Sequence, residues 1–258
     1  MLLVIDVGNT NIKYGVYEGN NLRASFRVTS ERKKTADEYG AVLINLLTSS
    51  GISLKEISGV IISSVIPALN YTIMHMCEYF FDVKPLLVGP GIKTGLNLRV
   101  DNSREVGADR IVNSVAAYKK YGGPCVVIDF GTATTFNVIS GGEFIGGVIA
   151  PGIKGSLDSL VSSAAKLPRV EIEAPKSVIA TSTVTNIQAG IVFGFAGLVE
   201  YIVKKIKREL GNNEVLTIAT GGFSETMARE TKCIDVIDKT LTLYGLKYLY
   251  DLNTEVVK

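Results

Sequence analysis

Residues 2–11 read LLVIDVGNTN, and residues 126–135 read VVIDFGTATT. Each is an apolar run that reaches an aspartate, then a glycine, then threonine. Each is followed by another strand-like run, NIKYGVY after the first and TTFNVIS after the second. A strand that ends at an aspartate sets a carboxylate at the sheet edge, and the glycine lets the backbone turn tightly and approach a ligand. The N–H groups that follow, with Thr and Asn side chains, can form a nest for phosphate oxygens. An aspartate beside phosphates can hold Mg²⁺ directly or through water. One such turn is also an ordinary hairpin, and it is the second copy that favours phosphate. Lys13 stands where it could reach a phosphate or lie solvated along its strand.

The stretches around these two turns repeat an order. After the first come strand LRASFRV, helix ADEYGAVLINLLTSSG, strand GVIISSVI, a helix from Pro67 and strand PLLVG. GPGIKTGLNL reads as a loop, and GADRIVNSVAAYKKYG as a helix ended by Gly122-Gly123. After the second turn come EFIGGVIAPG, helices in GSLDSLVSSAAKL and in residues 184–210, strand VLTIATGG, helix SETMARET and a last helix in TLYGLKYLYDL. Both halves run strands first and helices after, which predicts an α/β protein of two similar lobes. The expected division is an N-terminal lobe over 1–117 and a C-terminal lobe over 118–258.

Composition narrows the function. The 258 residues are 47% hydrophobic with a formal net charge of +2, so no excess of positive charge speaks for nucleic acid. The basic run VKKIKREL closes an apolar helix and reads as its solvated last turn. Cys77, Cys125 and Cys233 are far apart with no CxxC, which fits a reducing, cytoplasmic setting. The N-terminus lacks a basic leader pattern. The apolar segment 187–203 carries Gln188 and Glu200 and reads as a buried or subunit-interface helix, not a membrane span. His75 is the one histidine, so triads and metal sites built on histidine are disfavoured.

Two further stretches carry chemistry. In TIATGGFSE a strand ends at Thr220-Gly221-Gly222, where a flat adenine or ribose could lie on bare backbone; a plain strand-to-helix turn is the simpler alternative. In REVGADRIVNSVAAY, Asp109 opens a helix. It could accept a proton from a substrate hydroxyl, with helix N–H groups holding an anionic part of the same substrate. It could equally cap the helix. Neither G-x-x-x-x-G-K-[ST] nor G-x-G-x-x-G occurs.

Two phosphate turns and an adenosine loop, in this order, resemble the actin-like, hexokinase-like ATPase superfamily: two similar lobes of a ribonuclease H-like fold with a central nucleotide cleft. DVGNTN, VGADRIVN, DFGTATTF, GGVIAPG and TGG together resemble type III pantothenate kinase, from residue 1 to about residue 250. That resemblance implies phosphorylation of the 4′-hydroxyl of pantothenate by ATP, the first step of coenzyme A synthesis, by a homodimer needing Mg²⁺ and a monovalent cation, K⁺ or NH₄⁺. It makes Asp109 the catalytic base and places Gly107, Ala108, Asp109 and Arg110 around pantothenate. Asp6, Val7, Gly8, Asn9, Thr10, Asn11, Ile12 and Lys13 become the first phosphate loop, with Asp6 also a metal ligand. Asp129 serves the monovalent cation, Thr132 the ATP phosphates, and Thr220, Gly221 and Gly222 the adenosine. Thr183 matches a threonine that contacts pantothenate near the subunit interface, with Thr185 as the fallback. Asn102-Ser103 stands where the family usually has Asn-Pro, and Ala180-Thr181-Ser182 departs from the usual residues before that threonine. The alternatives are a kinase of the same superfamily for another small hydroxylated substrate, and a nucleotide-binding regulatory or accessory protein without catalysis. Nucleic acid and membrane are not expected partners.

Overall fold

The computed structural model describes residues 1–254. In chain order its elements are β1 (Leu2–Val7), β2 (Asn11–Glu18), β3 (Asn21–Thr29), α1 (Ala36–Ser49), β4 (Gly59–Ser64), α2 (Pro67–Phe81), β5 (Leu86–Leu87), β6 (Asn97–Leu98), α3 (Ala108–Tyr121), β7 (Cys125–Phe130), β8 (Ala133–Ser140), β9 (Glu143–Pro151), α4 (Ile153–Ser163), α5 (Thr183–Glu209), β10 (Leu216–Gly221), α6 (Ser224–Glu230), β11 (Val236–Ile237) and α7 (Leu241–Thr254). The chain divides into two units. One holds Met1–Gly95, Asn102–Ala116 and the stretch from Leu241 onward; the other holds Leu96–Asp101 and Ala117–Thr240.

The first unit is built on a sheet of order β3-β2-β1-β4-β5. β1 and β2 are antiparallel, as the hairpin turn requires, and β4 lies parallel to β1 on its other side. β1 is buried along nearly its whole length because both faces are covered. Leu3, Ile5 and Val7 pack with Leu43 and Leu47 of α1 and Leu69 and Ile73 of α2. β3, at the edge, alternates exposed and half-buried residues. α1 starts at a capping box: Thr35 Oγ1 accepts from the Glu38 N–H at 3.3 Å and Glu38 Oε2 accepts from the Thr35 N–H at 2.8 Å. α2 starts on Pro67 and ends at Asp82 in the left-handed region, φ 54°. His75 is exposed on α2, stacked on Tyr71 at 5.8 Å between ring centres.

The second unit repeats this plan. Its sheet has the order β11-β10-β7-β8-β9-β6. β7-β8-β9 form the same antiparallel meander as β1-β2-β3, and β10 lies parallel to β7 as β4 does to β1. One face of this sheet, with Val126, Ile128, Phe130 and Phe136, packs on α4 and α5 through Ile153, Leu157, Val192 and Val199. α5 is long and apolar enough to cross a membrane by length and composition. In this fold Ile187, Val192, Val199 and Val203 of α5 are buried in the unit's own core, and its last turns carry Lys204, Lys205, Lys207 and Arg208.

Four elements differ from the sequence expectation, the first being β11, which falls in a stretch read as no element and pairs with β10. β6 arises inside the stretch expected as a loop and joins the edge of the second sheet beside β9. α4 begins two residues earlier and ends at Ser163, four residues short of the expected Leu167. The last helix, expected in a lobe of residues 118–258, belongs with the first unit. Leu243, Leu246 and Leu249 of α7 are buried. The bare backbone of Gly15 lies against Leu243, and that of Gly59 against Tyr250. An amphipathic pattern marks which face of a helix is buried but not which sheet it covers, so this return to the first unit left no local mark.

Candidate active site

In the first unit, Asp6 is the fifth residue of β1. It pairs across the hairpin with Lys13 and along the parallel ladder with Ser63. Asp6 is buried, and its Oδ2 lies 3.8 Å from Lys13 Nζ, at the outer limit of an ion pair. Of the two sequence readings of Lys13, the structure shows a side chain that lies over the carboxylate. The turn closes with the Gly8 N–H on the Asn11 carbonyl at 3.1 Å. Ser30 braces it from the end of β3, its Oγ donating to the Gly8 carbonyl at 2.6 Å and its N–H to the Thr10 carbonyl at 3.0 Å. Asn9 and Thr10 are left exposed at the tip.

Asp109 sits in the first turn of α3, and its Oδ1 accepts from the Arg110 N–H at 2.8 Å. Asp109 is the second residue of α3 and accepts from the N–H of the residue after it, which the Gly107 carbonyl also takes, so it stands inside the first turn and not at the cap position. The Gly107 carbonyl takes the N–H groups of Arg110 and Ile111. A Cβ on Gly107 would stand 2.6 Å from Asp109 Oδ1, so a bare backbone is needed there. Gly107, Ala108, Asp109 and Arg110 are all half-buried. Burial pushes the Arg110 guanidinium below its ordinary value, while the Asp109 carboxylate pulls the other way.

The ends of β1 and β4 bring these pieces to one sheet edge. The Val65 N–H donates to the Val7 carbonyl at 3.0 Å, and the Val65 side chain lies 3.8 Å from where a Gly107 Cβ would be. The C-terminal edge of parallel strands is where open α/β sheets bind ligands.

The second turn has the same frame within its own unit. Asp129 is the fifth residue of β7, paired with Thr135 on β8 and Thr220 on β10. The Gly131 N–H bonds the Ala133 carbonyl at 3.1 Å, one residue tighter than the first turn. The turn is held from two sides by bare backbone. A Cβ on Gly152 would stand 2.0 Å from the Thr132 carbonyl oxygen, so glycine alone allows the start of α4 to press against Gly131 and Thr132. Gly221, at φ +91°, has its backbone against Asp129 Oδ1, where a Cβ would approach to 2.5 Å. The Gly222 N–H bonds the Phe130 carbonyl at 3.1 Å, and Ser224 Oγ donates to the Gly221 carbonyl at 2.9 Å. Asp129, Thr132, Thr220, Gly221 and Gly222 are therefore one cluster, joined by the N-terminus of α4. The Thr220 side chain is buried inside it, so only the backbone there can meet a flat ring.

Thr183 is exposed at the first position of α5. Thr185, the fallback, uses its hydroxyl in a capping box with Ser182, at 3.3 Å from the Ser182 N–H. The braces Ser30, Ser224 and the α4 start were not singled out in the sequence.

Among the described residues, no group of three or more His, Cys, Asp or Glu side chains could hold a metal ion. Mg²⁺ bound with a nucleotide needs less: one or two carboxylates, phosphate oxygens and its own waters. A lone carboxylate at each turn, beside a buried hydroxyl, suits that arrangement. The thiols are elsewhere, with burial pushing Cys77 and Cys125 up to about 12.

Solved structures share this architecture. A protein described as a 2-dehydro-3-deoxygalactonokinase from Sinorhizobium meliloti aligns with TM-score 0.65 at 11% identity, over 100% of this chain and 98% of that one. A protein described as a Baf family transcriptional activator from Campylobacter jejuni aligns with TM-score 0.62 at 20% identity, over 98% and 99%. An inorganic polyphosphate/ATP-glucomannokinase from an Arthrobacter species aligns with TM-score 0.50 at 16% identity, over 98% of each chain. The duplicated sheets, each with its aspartate turn, are those of the actin-like, hexokinase-like ATPase fold. Residues 2–205 match the family described as type III pantothenate kinase, and the chain belongs to that family. It is accordingly a phosphotransferase that uses ATP and a divalent metal.

Proposed function

We propose that this enzyme transfers the γ-phosphoryl group of ATP to the 4′-hydroxyl of pantothenate, giving 4′-phosphopantothenate for coenzyme A synthesis in the cytoplasm. The observation that carries the reading is Asp109: a half-buried carboxylate at a helix start, on the same sheet edge as the Asp6 turn. There it can take a proton from a hydroxyl while the first N–H groups of α3 and the Arg110 side chain face the carboxylate of the same substrate.

Each turn is assigned phosphate oxygens: Gly8 to Asn11 and Lys13 in the first, Gly131 and Thr132 with the start of α4 in the second. Gly221 and Gly222 offer bare backbone to the adenosine. Asp6 is the residue to hold Mg²⁺, and Asp129 a monovalent cation, K⁺ or NH₄⁺. The cations supply positive charge against the phosphates as the transferred group moves. Asp109 accepts the hydroxyl proton as the oxygen attacks phosphorus. Thr183 orients pantothenate near the subunit boundary of a homodimer whose contact is the exposed face of α5. Alignment and fixed charge, not a covalent step on the protein, lower the barrier.

The test is ADP release from ATP and Mg²⁺, with and without pantothenate, in potassium and then in sodium buffer. ADP formation that needs both pantothenate and potassium supports the substrate and the cation assignments together. Folded protein that binds ATP but ignores pantothenate in either salt removes the substrate assignment.

A further inference from the structure

Two buried hydroxyls occupy corresponding places in the two sheets. Ser63 on β4 is the ladder partner of Asp6 on β1, and Thr220 on β10 is the ladder partner of Asp129 on β7. Partners in a ladder carry their side chains on one face, with the strands about 4.8 Å apart. Each carboxylate therefore has a hydroxyl as its neighbour on the adjoining strand. Ser63 is 0% exposed and Thr220 1% exposed, and neither Ser63 Oγ nor Thr220 Oγ1 has a hydrogen-bond partner.

A buried hydroxyl without a partner is costly, and folding does not demand either of these. Alanine at 63 or valine at 220 would fill nearly the same space without that cost. Other buried unpartnered hydroxyls, on Tyr14, Thr134 and Thr217, pair with Ile5, Phe130 and Val126 and so stand on the opposite faces of the two sheets. Among the buried unpartnered hydroxyls of the described residues, only Ser63 and Thr220 share the register of an aspartate, once in each copy of the duplicated frame. The recurring feature is thus a carboxylate and a hydroxyl side by side at a phosphate turn. That pair offers a carboxylate oxygen and a hydroxyl oxygen as acceptors, which suits a water in the shell of a cation, whose protons point away from the ion.

We propose that Ser63 and Thr220 are positioning residues, each holding with its aspartate an ordered water of a hydrated cation that accompanies the nucleotide phosphates. This rests on the nucleotide reading above. The orphan hydroxyls are then a feature of the ligand-free protein, completed on binding.

Thermal unfolding of Ser63→Ala and Thr220→Val, as separate single variants beside Thr220→Ser and the wild type, tests it without relying on turnover. Without ligand, Ser63→Ala and Thr220→Val should melt at or above the wild-type temperature, because no hydrogen bond is lost. With ADP held constant, the Mg²⁺ or K⁺ concentration giving half the nucleotide stabilisation should rise about three- to ten-fold, the worth of one such bond. The Mg²⁺ and K⁺ titrations, run separately, show which cation each hydroxyl serves. Thr220→Ser should keep the wild-type cation dependence. Variants that melt lower without ligand yet keep the wild-type cation dependence would show hydroxyls that serve the fold alone and overturn the proposal. Unchanged behaviour in both measurements would overturn it as well. A wild type that gains no stability from ADP under any cation would overturn the nucleotide reading, and this proposal with it.

Discussion

Asp109 has a structural contact and a proposed catalytic role that one substitution can separate. Its Oδ1 accepts the Arg110 N–H at 2.8 Å, an interaction that an asparagine oxygen can also make. Asp109→Asn therefore keeps the helix start while losing the ability to take a proton. A positioned base contributes about 10²- to 10⁴-fold, so kcat should fall by at least about a hundred-fold while the nucleotide dissociation constant stays within about two-fold. Equal losses in both, by steady-state kinetics and nucleotide titration, would assign the carboxylate to structure or metal. At this scale the sequence was informative where chemistry is local. The spacing of DVGNTN and DFGTATT places a carboxylate, a glycine and donors within one turn, and no distant residue is needed to see it. Ser30, Ser63 and Gly152 escaped because each meets its turn from another strand or helix. Which residue of β4 stands beside Asp6 depends on strand register, which the apolar run GVIISS does not mark.

Among the elements, the meanders and the amphipathic helices were legible because alternation and the helix start at Pro67 act within a few residues. The two-residue strands β5, β6 and β11 owe their pairing to the neighbouring strand, and only β5 lay in a run apolar enough to be read. The segment from β11 to α7 carries a second element-scale feature. Asp238 is buried, accepting from Lys120 Nζ at 2.7 Å and Tyr121 Oη at 2.9 Å at the end of α3, and from the Thr240 N–H at 3.0 Å. Burial opposes its ionisation, yet the hydrogen bonds from Lys120, Tyr121 and Thr240 outweigh it and hold the carboxyl below its ordinary 3.8. A carboxyl depressed on folding stabilises fully above that ordinary value and loses its contribution as the pH falls through the depressed one. Asp238→Asn should therefore lower the melting temperature at pH 7 and flatten the decline of wild-type stability below about pH 4. Parallel acid limbs in the two proteins, followed by circular dichroism, would place the acid sensitivity elsewhere.

For the molecule as a whole, the repeated strand order β3-β2-β1-β4 and β9-β8-β7-β10 was foreshadowed by the two aspartate turns. The assignment of α7 was not, since its partners lie far back in the chain, from Gly15 and Gly59 of the first sheet to Val112 and Ala116 of α3. The exposed face of α5 bears on assembly. Gly190, Gly194, Gly197 and Tyr201 lie along it, and a Cβ at Gly194 would meet nothing within 4 Å. Gly194→Glu is thus accommodated by the single chain, and loss of a mid-helix glycine should stabilise the helix by up to about 1 kcal/mol. If α5 joins two copies, the variant should sediment as a folded monomer where the wild type sediments as a dimer. A variant dimer as tight as wild type would move the interface to another face.

The return of α7 to the first sheet also sets an order of events during synthesis. Residues 96–240 contain every strand of the second sheet and the helices of its core, so that unit can close on itself while the ribosome is still at work. The first sheet emerges earlier but must wait for Leu241–Thr254, the last described element, to cover Gly15 and Gly59. The half made first is finished last. Ribosome-bound chains arrested with residue 240 just outside the exit tunnel should resist brief proteolysis across residues 117–240 while remaining cleavable within the first 95. Chains released after α7 should be protected in both. Early protection of the first sheet, before residue 241 emerges, would mean that its α1 and α2 face is stable without the covering helix.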